Sequence, residues 1–290
     1  MAIIGILGST GMAGSLIYTY LKDRGHIVLG YSRSKVEGFS DEPLNLHNST
    51  HLENLYMWIK AQQPDAVINC TGVLVKDSNE NPSEAIYVNS YFPHLLESWC
   101  EKTRTKVIHL STDCIFDGEE FAYYEDTLPT ERNLYGRSKA LGEIDNGKDI
   151  TLRQSIIGPA PQSTNTGLLN WILTQKEPEV QGFNHVEWNG ITTLELAKHI
   201  ENILVNHPHL SGIYHLVPDD ELINKYELLK LIKKIWNLDV TIEKNKTQSS
   251  HKILTNTRDD YHVNVPGYEK QLTELKEYMD KHNIGVGSYY

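Results

Sequence analysis

Three side chains in this sequence make a proton-transfer set: the Thr112 hydroxyl, the Tyr135 phenol and the Lys139 ammonium. Tyr135 and Lys139 stand four residues apart, so on a helix they share one face. A free tyrosine titrates near pH ~10. A neighbouring cation favours the phenolate and draws that value towards the working pH, each unit being worth about 1.36 kcal/mol. A Y-x-x-x-K pair by itself also occurs on many exposed helices with no chemistry attached. Here it follows a strand-end hydroxyl pair, Ser111-Thr112. Adjacent strand residues point to opposite faces, so one of the two hydroxyls faces the site. Thr112 is the favoured one and Ser111 the alternative.

A second constellation lies at the N-terminus. The apolar stretch Ile3–Leu7 is followed at once by Gly8, Gly11 and Gly14, and then by Leu16, Ile17, Tyr20 and Leu21 at helical spacing. Strand, glycine turn, helix is the context in which such glycines cradle a pyrophosphate on free helix N–H groups, with Thr10 and Met12 inside the turn. The second strand, His26–Gly30, runs into Tyr31-Ser32-Arg33-Ser34. An acid at that strand end would take the ribose 2′-hydroxyl of NAD; an arginine accommodates the 2′-phosphate of NADP. Ser32, Arg33 and Ser34 therefore favour NADP(H), the alternative being that Arg33 is a solvated loop residue.

Positioning these groups requires alternating strands and helices. Asn45 and Leu46 belong to a short segment that edges an adenine. A helix through Leu52, Leu55, Trp58 and Ile59 follows. The strand Ala66–Cys70 then delivers Thr71, Gly72 and Val73. Residues 76–84 read as a polar loop, and a helix runs through Ile86, Val88, Leu95, Leu96 and Trp99 with a kink or restart at Pro93. The strand Lys106–Leu110 ends at Ser111. In open α/β sheets ligands bind at the carboxyl ends of the strands, so the glycine turn and Ser111–Asp113 face the same edge. Ile150–Ile157 reads as one further strand. After it the rhythm weakens: helices over Gly167–Leu173, Leu194–Val205, Lys225–Trp236 and Leu272–Met279, strands over Gly212–Leu216 and Asp239–Glu243, and a strand and turn within 179–193. The expected architecture is α/β, a Rossmann-type doubly wound parallel sheet over residues 1–158. A smaller C-terminal α/β substrate lobe over 159–290 returns in part to the first sheet.

The 290 residues suffice for two lobes with real cores. A formal net charge of -11 argues against wholesale binding to nucleic acid or anionic membrane. No apolar run approaches the roughly 18 residues of a membrane helix, and the N-terminus lacks the basic segment of a signal peptide. Three cysteines, Cys70, Cys100 and Cys114, without C-x-x-C spacing suggest a reducing compartment. A cytoplasmic location is expected. Thirteen histidines form no H-x-x-x-H with a nearby acid, so no metal site is expected.

Together G-S-T-G-M-A-G, Val88-Asn89, S-T-D-C-I-F-D-G (Ser111–Gly118), Y-G-R-S-K-A-L-G-E (Tyr135–Glu143) and L-R-Q-S (Leu152–Ser155) resemble the extended short-chain dehydrogenase/reductases, and within them the dTDP-4-dehydrorhamnose reductase branch. Cys114, Asn45 and Thr71-Gly72-Val73 depart from the branch pattern, and none removes a catalytic group. The resemblance implies hydride transfer from NADPH to C4 of a nucleotide-linked 4-keto-6-deoxy sugar. Tyr135 would then be the proton donor, Thr112 would orient the carbonyl oxygen, and Lys139 would hold the nicotinamide ribose. A homodimer is the default association for such enzymes.

Four residues enter as substrate contacts. Asn89 orders the site or is a helix-surface amide. Arg153 pairs a substrate phosphate or a buried acid. Trp188 and Asn189, with Trp171, fall where a sugar or base stacks. Lys225 and Tyr226 open a helix, as cap and packing or as substrate contacts. Asp113 and Asp117 suit turns better than paired acid–base work. Two rival activities share the fold: a 4-epimerase, and a 4,6-dehydratase, which would carry a glutamate beside Asp113. A non-catalytic NADP-binding regulatory subunit is the rival of a different class, and the intact Thr-Tyr-Lys set argues against it.

Overall fold

The structure, a computed structural model, describes residues 1–120, 122–160, 167–218, 221–261 and 264–285. Its first half runs β1 (Ile3–Leu7), α1 (Met12–Asp23), β2 (Ile27–Ser32), β3 (Glu42–Pro43), α2 (Ser49–Gln62), β4 (Ala66–Asn69), α3 (Val75–Glu80), α4 (Pro82–Ile86), a π-helical turn (Tyr87–Tyr91), α5 (Phe92–Cys100), β5 (Lys106–Leu110), a 3-10 turn (Asp113–Ile115) and α6 (Leu134–Leu141). The second half runs β6 (Ile150–Arg153), β7 (Ile156–Ile157), α7 (Gly167–Leu173), β8 (Glu179–Trp188), β9 (Ile191–Thr192), α8 (Thr193–Asn206), β10 (Gly212–His215), β11 (Ile223–Asn224), α9 (Lys225–Trp236), β12 (Thr241–Ser250) and α10 (Tyr268–His282).

Seven strands form one parallel sheet in the order β10-β6-β5-β4-β1-β2-β3. Its central strands are apolar on both faces, as a parallel sheet covered on two sides requires: Ile4, Ile6, Val67, Ile68, Val107 and Ile108 are fully buried. One face is covered by α1, α8 and α10, through Leu16, Ile17, Ile200, Ile203 and Leu275. The other is covered by α2 and α5, through Leu55, Ile59, Phe92 and Leu96. The sheet is doubly wound. The strand order reverses between β1 and β4, and that switch point opens the crevice where such folds take their ligands.

The remaining strands build a second layer, β11-β8-β12, with α9 packed across it through Leu228, Leu229 and Ile232. Both α8 and α9 start on the same device. Thr192 and Asn224 accept the N–H of Glu195 and Glu227, three residues on. The segment beyond residue 158 lends β10 to the large sheet, where Gly212–His215 pairs with Ile150–Arg153.

Three expected elements differ. Residues 76–84 are not loop but parts of two short helices: α3, which follows Leu74 without a side-chain cap, and α4, started by the Asn81 side chain, which accepts the Glu84 N–H, and by Pro82 at the first helical position. They carry no apolar stripe, so periodicity missed them. The strand expected over 150–157 is broken at Gln154-Ser155, and β7 leaves the large sheet to pair with β9. The strand expected over 239–243 lies at 241–250; most of its residues are exposed, so alternation is weak there. At Pro93 the helix does restart: the π-helical turn ends and α5 begins. Among the described residues no helix is long and apolar enough to cross a membrane, and no cluster of three or more His, Cys, Asp or Glu is placed to hold a metal ion.

Candidate active site

The β1–α1 turn is built for close backbone approach. Gly8 has a φ of 79°, a region side chains resist, and its N–H donates to the Tyr31 carbonyl at 2.8 Å. A Cβ at Gly14 would lie 2.2 Å from the Gly8 carbonyl oxygen. The first carbonyl accepting inside α1 is that of Gly11, from Ser15 N–H at 2.9 Å. The N–H groups ahead of Ser15 have no helical acceptor, and the first turn carries no acid. Free N–H groups at the positive end of a helix dipole, with a glycine floor, fit a pyrophosphate.

Above this turn lies a cleft of about 450 Å³. Gly8, Thr10, Gly11, Ser32, Arg33, Asn45, Leu46, Thr71, Gly72 and Val73, all expected from sequence, line it. Arg33 is exposed at its rim, and the buried Ser32 hydroxyl donates to the Ser34 carbonyl. Ser34 is exposed and lines nothing. Met12 points to Gly167 instead, where a Cβ would meet its methyl at 2.2 Å, and Gly14 serves the turn rather than the wall. Sequence reasoning missed the opposite wall of His47, Asp77, Glu80, Asn81 and Glu84. Four of these belong to α3, α4 and the residue between them, the segment read as loop. His47 stacks on Tyr87 and pairs with Glu84.

The three residues expected to be catalytic stand beyond the inner end of the cleft, where Cys70 lines the wall and its thiol feels the Lys139 charge. Thr112 is the N-cap of the 3-10 turn. It accepts the Cys114 N–H at 3.1 Å and donates to the Asp113 carboxylate at 3.1 Å. Tyr135 and Lys139 lie one helical turn apart on α6, which Asn133 caps by accepting the Gly136 N–H. Burial pushes the Tyr135 phenol above its ordinary value, and the neighbouring Thr112 hydroxyl acts against that shift. The expected pull of Lys139 on the phenol is therefore not the dominant effect; desolvation is. The Lys139 ammonium donates to the Leu110 carbonyl at 2.7 Å, and burial lowers its pKa to about 8, against the Glu143 charge that raises it. Ser111, the alternative to Thr112, is engaged elsewhere: its hydroxyl donates to Glu143 at 2.6 Å.

The four expected substrate contacts are corrected by burial and bonding. Arg153 is 3% exposed and forms a two-pronged pair with Glu143, Nε at 2.9 Å and a terminal nitrogen at 2.8 Å. It took the buried-acid alternative because Glu143, just past the end of α6, is its ion-pair partner. Asn89 is fully buried in the π-helical turn. It accepts the Val73 N–H at 2.8 Å and donates to the Val73 carbonyl at 3.0 Å and the Ser138 hydroxyl at 3.1 Å. It ties the cleft wall at Val73 to α6, the ordering role expected of it, with its amide spent on those bonds instead of on a substrate contact. Trp188 is core, packed on Tyr268 at 5.5 Å. Asn189 is buried and exchanges hydrogen bonds with the Leu254 backbone. Asp117 accepts from the Tyr123 hydroxyl and the Glu119 N–H, in keeping with a turn role, and that bond holds its carboxyl below the usual range.

The RmlD substrate binding domain model matches residues 1–261. The probable low-salt glycan biosynthesis reductase Agl14 of Haloferax volcanii is 33% identical over 175 residues, 58% of this chain and 58% of that protein, so the match spans little more than half of its length. Methionine adenosyltransferase 2 subunit beta of Xenopus tropicalis is 24% identical over 80% of this chain and 72% of its own. In fold, the dTDP-4-dehydrorhamnose reductase of Bacillus anthracis, solved in complex with NADP, superposes with a TM-score of 0.79 at 18% identity, covering 96% of this chain and 99% of that one. With a family match across nine-tenths of its length, a doubly wound sheet and a pyrophosphate turn at the switch point, the chain belongs to the RmlD substrate-binding-domain family of extended short-chain dehydrogenase/reductases.

Proposed function

We propose that this chain is an NADPH-dependent reductase of a nucleotide-activated 4-keto-6-deoxy sugar, serving cytoplasmic synthesis of deoxysugars for surface polysaccharide. The carrying observation is the Tyr135 phenol: half-buried, with desolvation holding its pKa above the ordinary value, and beside the Thr112 hydroxyl at the strand end. A reductase must hand a proton to the oxygen that receives negative charge, and a phenol held protonated at neutral pH is loaded for that step. When bound, the nicotinamide supplies the hydride. Thr112 orients the carbonyl oxygen, and Lys139 supplies the charge that stabilises the phenolate left after proton transfer. Arg33 and Ser32 at the cleft rim take the 2′-phosphate, and Asn45 and Leu46 edge the adenine. Residues 1–158 make up the cofactor part and 159–290 the substrate lobe.

Tyr135→Phe tests the reading. Turnover on a 4-keto sugar is expected to fall by about 10²- to 10⁴-fold, while NADPH affinity, measured by fluorescence titration, stays within twofold or so of wild type. Normal turnover in the variant would remove Tyr135 from the mechanism. The match to methionine adenosyltransferase 2 subunit beta supports a second reading, a cofactor-binding subunit without turnover. No NADPH consumption across a panel of dTDP-, UDP-, GDP- and CDP-linked 4-keto sugars, together with stable association with another enzyme, would favour it.

A further inference from the structure

Two buried asparagines hold the cleft wall at Thr71-Gly72-Val73 from behind. Asn89 takes both backbone groups of Val73. Asn69, the last residue of β4 and fully buried, takes Thr71. Its Oδ1 accepts the Thr71 N–H at 3.1 Å and the Thr71 hydroxyl at 2.6 Å. Thr71 in turn packs on the phosphate turn, its nitrogen 3.2 Å from where a Cβ on Gly8 would stand. Between the two anchors Gly72 is exposed in the cleft. Among the described residues its N–H and carbonyl have no partner, so its peptide is open to a ligand.

The Asn69 amide is itself held by one group. Its Nδ2 donates to His109 Nδ1 at 3.1 Å, the two residues lying opposite each other on β4 and β5. A backbone N–H can only donate, so Thr71 keeps Oδ1 on its own side and leaves Nδ2 for the histidine. His109, fully buried, must then accept at Nδ1 and carry its proton on Nε2, which has no partner among the described residues. Thr151, opposite His109 on β6, spends its hydroxyl on the Ile144 backbone. The ring stays neutral, since burial and the nearby Lys139 charge both oppose a second proton. An apolar side chain at this position would strand the Asn69 amide hydrogens in a dry interior. Turning the amide over would set N–H against N–H at Thr71. The chain escapes both costs only by loosening Thr71. We propose that His109 is a positioning residue for the cofactor: accepting from Asn69 in its Nε2–H form, it fixes the amide that sets the Thr71-Gly72 wall, and with it the Gly72 peptide that the dinucleotide meets. The inference rests on the nicotinamide-cofactor reading and adds to it a residue that lines no part of the cleft.

The test is NADP⁺ binding to the full chain by calorimetry, for wild type, His109→Leu, His109→Asn and Val107→Ala. His109→Leu removes the acceptor and is expected to weaken NADP⁺ binding by about 3- to 10-fold, the range of one neutral hydrogen bond. His109→Asn can place an amide oxygen where Nδ1 stood and should restore most of it. In turnover on a dTDP-linked 4-keto-6-deoxy sugar the loss should fall on the KM for NADPH rather than on kcat. Val107→Ala hollows the same face of β5, two residues away, without touching these hydrogen bonds. It should lower the thermal midpoint and leave NADP⁺ affinity unchanged. Should His109→Leu fail to fold, ¹⁵N spectra of the wild-type imidazoles still decide, since His109 is expected as the neutral Nε2–H tautomer. Wild-type affinity in His109→Leu, an equal loss in His109→Asn or in Val107→Ala, or an Nδ1–H form of His109 each overturns this inference alone. A wild type that binds no NADP⁺ overturns the cofactor reading, and this inference with it.

Discussion

Burial brings the protonation of Lys139 close to working conditions. Its folded pKa, lowered to about 8 by burial, lies below the ordinary value of 10.5. The native state thus gives up this proton at lower pH than the unfolded chain does. The ammonium opposes folding below about pH 8, and that penalty is relieved as pH rises towards 10.5. Function runs the other way. The charge that stabilises a Tyr135 phenolate exists below about pH 8, so kcat/KM for reduction should be level through neutral pH and fall as pH rises through about 8. Lys139→Arg, charged to beyond pH ~12, should push that falling limb upward in a pH–rate profile, at reduced amplitude. At the same scale, Arg33→Ala should raise the KM for NADPH several-fold and leave the KM for NADH nearly unchanged, because only the 2′-phosphate loses a partner.

The elements are held under the site by a buried ionic junction. Glu143 lies just past the end of α6, Arg153 ends β6, and both side chains are nearly out of water. Glu143 also takes the Ser111 hydroxyl, and an Arg153 terminal nitrogen donates to the Glu125 carbonyl at 3.1 Å and meets His215 at 3.3 Å. Arg153→Met should destabilise by about 3–5 kcal/mol, because it strands a buried carboxylate. The double variant Arg153→Met/Glu143→Leu should recover much of that loss, a coupling that urea unfolding can read. This junction also shows what the sequence conveys. The places of the glycine turn, Arg33, Thr112, Tyr135 and Lys139 were legible because local spacing and strand ends decide them. Arg153 and Asn89 were not, because a partner ten or sixteen residues away decides whether a polar group faces a ligand or the interior. The α3–α4 wall was missed for a related reason: both helices are a turn or two long, and no apolar period marks them.

For the whole molecule, the crossing of the chain between layers matters most. The segment after residue 158 supplies β10 to the large sheet. α8 lies on α1, and the Gln271 side chain of α10 accepts the Thr192 N–H at 3.0 Å. Neither part can leave without exposing the other's core, so thermal unfolding should be a single transition by both tryptophan fluorescence and far-ultraviolet dichroism. NADP⁺ at 100 times its Kd should add about 2.7 kcal/mol to it. Two separate transitions would show that the layers fold independently.

The dryness of the Glu143–Arg153 pair has a consequence for ionic strength. At 1 M salt the screening length is only about 3 Å, which dissolves the influence of exposed charges but barely reaches a pair sealed from solvent. Arg33, exposed at the rim, would on the proposed reading meet the cofactor's phosphate in open water. Concentrated sodium chloride therefore acts as a selective reagent on this protein. It should loosen the proposed hold on the cofactor's extra phosphate while the frame that aligns Ser111, α6 and β6 keeps its shape, so apparent affinity for NADPH should fall long before turnover at saturation does.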